Sequence, residues 1–152
     1  MDSAQLDSAL QTEYLHLQKT IEDFDAKAMT IKAWSVTFSF SVIVGAFASH
    51  APAVLLVAAV SSLLFWFLET MWKTFQLGYY ERAAQIEAHF RGESRLQAPH
   101  QIGASWMQRW NRTSWPEVAR MARWPHVALP HVVVVVVGAG MFLASLFGNL
   151  KL

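Results

Sequence analysis

Thirty-six consecutive residues, 33 to 68, contain no Asp, Glu, Lys or Arg. One membrane crossing needs about 20 apolar residues, so this run is too long for one span and long enough for two. Its only interruption is Ser49-His50-Ala51-Pro52, near the middle. The stretch predicts two spans, about 33–49 and 52–68, joined by a tight turn. Composition agrees, with 54% of the 152 residues hydrophobic and 15% charged, against about 25% charged in soluble domains. There is no cysteine, which excludes disulfides, thiolate metal sites and a cysteine nucleophile. Met1-Asp2-Ser3-Ala4-Gln5 is acidic and polar, unlike the basic start of a signal peptide. The first span is therefore expected to be retained.

Residues 4 to 32 contain neither Gly nor Pro. Leu10, Tyr14, Leu17, Ile21, Phe24, Ala28 and Ile31 step by four and three, a heptad seam. The seam predicts a helix that packs on a neighbour or on a second copy. Hydroxyls crowd the first span. Ser41, Gly45 and Ser49 form a small-xxx-small row that lets helix backbones approach in lipid. Ser35, Ser39, Val42 and Ala46 form an adjacent stripe, suited either to helix packing or to lining a pore.

Pro52 suits the first turn of a second helix, and no breaker ends the pattern before Gly92. Leu68, Trp72, Phe75, Tyr79, Ala83, Ile86 and Phe90 keep a helical step, so one helix is predicted from 52 to about 91. At 1.5 Å per residue it reaches roughly 60 Å, about half of it beyond the bilayer. The two arms, 4–32 and 69–91, are expected to pack antiparallel, with Lys32 meeting Glu69 at the membrane surface. Ala58, Ser62 and Phe65 lead to Glu69 along one face. Glu69 reads either as an acidic ring at a channel mouth or as an ion-pair partner of Lys32 or Lys73.

Residues 92 to 103 are a polar linker. Ile102, Trp106 and Trp110 then form one face of a short helix. Ser114-Trp115-Pro116-Glu117 resembles a capping box. Trp, Met and Arg divided between faces predict helices lying in the membrane interface. Residues 124 to 150 again carry no formal charge, and Pro125 or Pro130 can begin a third span. Gly140, Ala144 and Gly148 repeat the small-xxx-small spacing.

Eleven of the 12 basic residues precede this third span and none lies in the turn. The positive-inside rule then places the N-terminus and residues 69–123 in the cytoplasm, and the turn and the C-terminus, with Lys151, outside. Arg82, Arg91, Arg95, Arg109 and Arg112 are candidates for anionic lipid headgroups or a phosphorylated ligand, or they only enforce topology. No phosphate loop, nucleophile elbow or metal-ligand pair appears. The six histidines are scattered. No catalytic residue, metal or cofactor is expected.

Ala28-Met29-Thr30-Ile31-Lys32-Ala33-Trp34 enters the first span. Phe65-Trp66-Phe67-Leu68-Glu69, followed by Gly78-Tyr79-Tyr80, leaves the second. This plan over residues 10–91 resembles the SLATT-type two-transmembrane proteins. The resemblance implies a membrane effector of bacterial anti-phage defence that oligomerises into a pore under a nucleotide or oligonucleotide signal.

The sequence thus predicts an all-α integral membrane protein of the inner membrane. A long antiparallel helical hairpin occupies 1–91, a linker with interfacial amphipathic helices 92–123, and a third span 124–152. Ser35, Ser39, Val42, Ala46, Ser62 and Glu69 are the pore-lining candidates. Ser41, Gly45, Ser49, Gly140, Ala144 and Gly148 are the packing candidates. The expected function is a homo-oligomeric pore or ion channel rather than an enzyme. The alternative is a non-conducting scaffold that recruits a cytoplasmic partner protein through its arms.

Overall fold

The computed structural model describes residues 2–148 and 150; Lys151, used above for topology, lies outside the described residues. Among these, the protein is all-helical, with no strand. Five helices follow in order: α1 Ser3–Ala48, α2 Val54–Phe90, α3 Ile102–Arg112, α4 Trp115–Ala122 and α5 Pro125–Leu146. Of these, α1, α2 and α5 are long and apolar enough to cross a membrane.

Local chemistry sets the helix ends. Asp2 Oδ1 accepts from the Gln5 amide at 2.7 Å, and Gln5 Oε1 accepts from the Asp2 amide at 3.3 Å. This reciprocal box satisfies donors that an open first turn would leave unpaired. At the other end of α1, His50 adopts a left-handed φ of 51°, and the Ala51 amide donates to the Ala46 carbonyl at 3.2 Å. Gly92, at φ 77°, closes α2. Its amide donates to His89 O and that of Glu93 to Ala88 O, at 3.0 and 2.9 Å. This pair of hydrogen bonds is the Schellman motif, whose left-handed residue favours glycine. Helix α5 starts at Pro125, after an extended Trp124, and runs through Pro130. Of the two prolines that could open the third long helix, the earlier one does so.

Two compact units partition the chain. The first joins the residues up to Lys27 with Trp72–Val118, and the second joins Ala28–Met71 with the residues from Ala119 onward. Their interiors follow opposite rules. The first unit buries Leu10, Leu17, Ile21, Ala83 and Ile86, with Leu6, Tyr14, Tyr79, Leu96 and Ile102 packed around them. Each fully buried Leu or Ile contributes about 1.5–3 kcal/mol. Tyr14 donates to Glu87, Gln76 to the Ile21 carbonyl and Trp72 to the Phe24 carbonyl, at 2.9, 2.9 and 3.3 Å. As the α1 number rises the α2 number falls, so these stretches run antiparallel.

Helix α3 joins the first unit through its aromatic face. Trp106 and Trp110 stack at 5.7 Å between centroids and both meet Phe75. Trp106 Nε1 donates to the Phe75 carbonyl at 3.0 Å. The indole lies directly on Gly78, where any Cβ would overlap the ring. Glycine is therefore required at 78 for close approach, not for an unusual backbone angle.

The second unit turns polar groups inward and apolar ones outward. Ser35, Ser39, Ser62, Glu69, Thr70 and His131 are buried, beside small residues such as Ala46, Ala58 and Ala59. Phe38, Phe40, Val44, Leu64, Phe67, Val133, Val136 and Leu143 are exposed. Water would disfavour that arrangement, because the exposed aliphatics gain nothing and the buried polar groups lose hydration. Against hydrocarbon the same arrangement is favourable.

Candidate functional site

A connected polar chain crosses the interior of the second unit. Lys32 of α1 enters it from the residue before the charge-free run. Its Nζ lies 2.5 Å from Glu69 Oε1 on α2. Glu69 Oε2 lies 3.0 Å from His131 Nε2 on α5. His131 Nδ1 lies 3.0 Å from Ser35 Oγ, back on α1. Ser62 Oγ donates to the His131 carbonyl at 3.1 Å. Glu69 is 1% exposed and His131 0%. Removing an ion from water costs several kcal/mol even after relaxation, so such groups persist only when paired and hydrogen-bonded. Here three helices contribute to the pairing.

Helical spacing explains how each side chain arrives. Ser35 and Ser39 are one turn apart on α1, and Ala58, Ser62, Phe65 and Glu69 share a face of α2. On α5, Val127, His131, Val134 and Gly138 step by four, three and four, and all four are buried. Gly138 brings α5 close to α2, since a Cβ there would stand 3.2 Å from the Leu55 carbonyl oxygen. Trp66 Nε1 adds a bond of 2.9 Å to the Ala122 carbonyl at the end of α4.

The protonation pattern follows from the partners. A carboxylate paired with Lys32 only accepts, so His131 Nε2 carries a hydrogen toward Glu69. In a neutral ring Nδ1 then accepts from the Ser35 hydroxyl. If the ring gains a second proton, Ser35 becomes the acceptor. Ser39 Oγ is buried and has no hydrogen-bond partner among the described residues. Ser39 also borders an apolar groove of about 290 Å³ between α1 and α5, beside Val36, Phe40, Pro130 and Val133.

Five of the six pore-lining candidates, Ser35, Ser39, Ala46, Ser62 and Glu69, are therefore interior to this unit, and Val42 is half-buried. Among the packing candidates, Ser41, Ser49, Gly140 and Gly148 are exposed, and Gly45 and Ala144 half-buried. Positions 45 and 140 have nothing within 4 Å of an added Cβ. These two glycine faces have no close neighbour among the described residues.

The arginine set is largely committed to acids. In the first unit, Arg82 Nε and Nη2 donate to Glu13 at 2.9 and 3.1 Å. Glu13 also accepts the amides of His100 and Gln101 at 2.7 and 3.2 Å. Arg82 Nη2 reaches the Ala98 carbonyl at 3.2 Å. Burial would raise the Glu13 pKa, but the Arg82 bonds and charge and the two amides outweigh it and hold the carboxyl below its usual 4.5. Arg91 pairs with Glu87 and Glu93. Arg109 pairs with Glu81 and Glu117, and Arg112 with Glu81. Arg95, Arg120 and Arg123 have no acidic partner among the described residues.

Sequence reasoning missed His131 and Glu13. An ionisable residue inside a charge-free span is a functional candidate by default, and that signal pointed to His131. Glu13 lies between Leu10 and Leu17 on the edge of the seam, where an acid needs a buried partner.

The class defined by these features is an all-helical protein with three potential membrane spans, compatible with a membrane protein. No protein-family model, curated protein or solved structure matches this chain.

Proposed function

We propose that this chain is a homo-oligomeric membrane effector that forms a pore or ion-channel-like pathway. The reading takes α1, α2 and α5 as three spans of the inner membrane. The first two form a long hairpin with cytoplasmic arms, and the turn and the C-terminus lie outside, as the positive-inside bias suggests. The observation that carries it is the Lys32–Glu69–His131–Ser35 chain, buried among helices whose outer faces are apolar. Ionisable groups inside a membrane are expensive and usually mark ion or proton pathways. The unpartnered Gly45 and Gly140 faces support self-association. The resemblance to SLATT-type proteins suggests the anti-phage setting and control by a nucleotide or oligonucleotide.

One observation favours a second reading. Lys32, Glu69 and His131 each already have a partner, which suits a rigid, non-conducting scaffold. Cells expressing the chain and loaded with a voltage-sensitive dye distinguish the two. The pore reading expects depolarisation by the wild type and a preserved potential with Glu69→Gln. A preserved potential in both, with a monomeric or dimeric mass in detergent, supports the scaffold and removes the pore.

A further inference from the structure

We infer that the species carried is the proton, and that a plug of apolar residues at the turn-side end of the polar chain gates it. This rests on the reading of the chain as a conducting membrane protein. The known contacts from Glu69 to Ser35 are hydrogen bonds of 3.0 Å, with no gap wide enough for a hydrated cation. Protons, unlike metal cations, travel along such bonds. The groups facing the His131 ring are Glu69 and Ser35, with Lys32 held at the far side of the carboxylate.

The transfer balances without any redox partner. Ser35 passes its hydroxyl hydrogen to His131 Nδ1 and takes one from a hydronium beyond it, which becomes water. His131 Nε2 passes its hydrogen to the Glu69 carboxylate, which releases it to water beside Lys32. Each step breaks one O–H or N–H bond and forms another, and the imidazole then turns over so that its N–H, now on Nδ1, again faces Glu69 and the bare Nε2 faces Ser35. The water between Ser35 and Ser39 is a specific requirement. Four residues along a helix advance about 6 Å, which two hydrogen bonds of about 2.8 Å span through one water. Ser39 Oγ, buried and without a partner, supplies the second anchor such a water needs.

Beyond Ser39 the buried positions include Ala46, Leu55, Ala58, Ala59 and Gly138. None offers a hydrogen-bonding side chain, so proton passage there waits on transient water and is slow. Ala58 lies one turn before Ser62 on the same face of α2 and is fully buried. A hydroxyl at position 58 extends the polar path with little added volume.

The test is ion flux in proteoliposomes of the purified full chain, with a pH-sensitive dye inside. Proton, K⁺ and Cl⁻ gradients are imposed separately. The expected result is proton flux without K⁺ or Cl⁻ flux, raised by Ala58→Ser and reduced roughly tenfold or more by His131→Ala. His131→Gln keeps hydrogen bonding without relaying a proton and is expected to stay low, which separates relay from folding. Flux of K⁺ or Cl⁻ that survives His131→Gln overturns the proton assignment and leaves the pore reading standing. No flux of any ion from the wild type or Ala58→Ser overturns both.

Discussion

Replacing Arg82 with Met should free the segment that follows α2. Glu13 and Arg82 are each 3% exposed, and Glu13 anchors the His100 and Gln101 amides as well as the guanidinium. Removing one partner of a buried pair costs about 3–5 kcal/mol, mostly because the remaining charge is stranded. With tenfold per 1.4 kcal/mol, local opening becomes roughly 100- to 4,000-fold more frequent. Hydrogen exchange at His100 and Gln101 reads this directly, in detergent or in membranes. Glu13→Leu combined with Arg82→Met removes both charges and should recover part of the protection. Recovery is incomplete, because the two amides still lack their acceptor. Exchange at 100 and 101 that changes less than about threefold in Arg82→Met would refute the claim that this pair anchors the segment.

Other expectations follow from the same contacts. Glu13 has a lowered folded-state pKa, so its contribution is present above about pH 4.5. It is lost as pH falls through the lower folded value; protection of the 100 and 101 amides relative to their intrinsic exchange rate should fall on acidification below 4.5, and Glu13→Gln should flatten that dependence. Gly78→Ala forces the Trp106 indole away and should cost about 1–3 kcal/mol, seen as a shifted tryptophan emission and a lower unfolding midpoint. Lys32→Met leaves Glu69 buried with His131 alone and should destabilise the second unit by about 3–5 kcal/mol, with Lys32→Met/Glu69→Leu closer to wild type in an SDS-unfolding titration. The chain has no cysteine, so His50→Cys should react with an impermeant maleimide from outside cells and Arg95→Cys only after lysis; the opposite pattern inverts the proposed orientation.

Much of the helical framework was legible because it is local. Charge-free length marks three long apolar helices, the heptad spacing marks the Leu10–Leu17–Ile21 face, and Gly92 marks the end of α2. The Lys32–Glu69 contact was legible too, because a tight turn near residue 50 fixes which residues of α1 and α2 face each other. His131 was not. Its register against Glu69 is set after a linker, two short helices and a proline start, and no periodicity within α5 carries that information. The arginines misled in a similar way. Arg82, Arg109 and Arg112 look like a basic surface until the partners Glu13, Glu81 and Glu117, distant in the chain or on another face, are placed beside them. The need for glycine at 78 was not legible either, because the indole that fills the space comes from α3.

The most direct test of the central claim is planar-bilayer recording of the purified protein, wild type beside Glu69→Gln at equal incorporation. The expected result is a conductance in the wild type that Glu69→Gln reduces strongly, because the carboxylate links Lys32 to His131. A silent bilayer containing verified, oriented wild-type protein, or a conductance identical in the two, would contradict it.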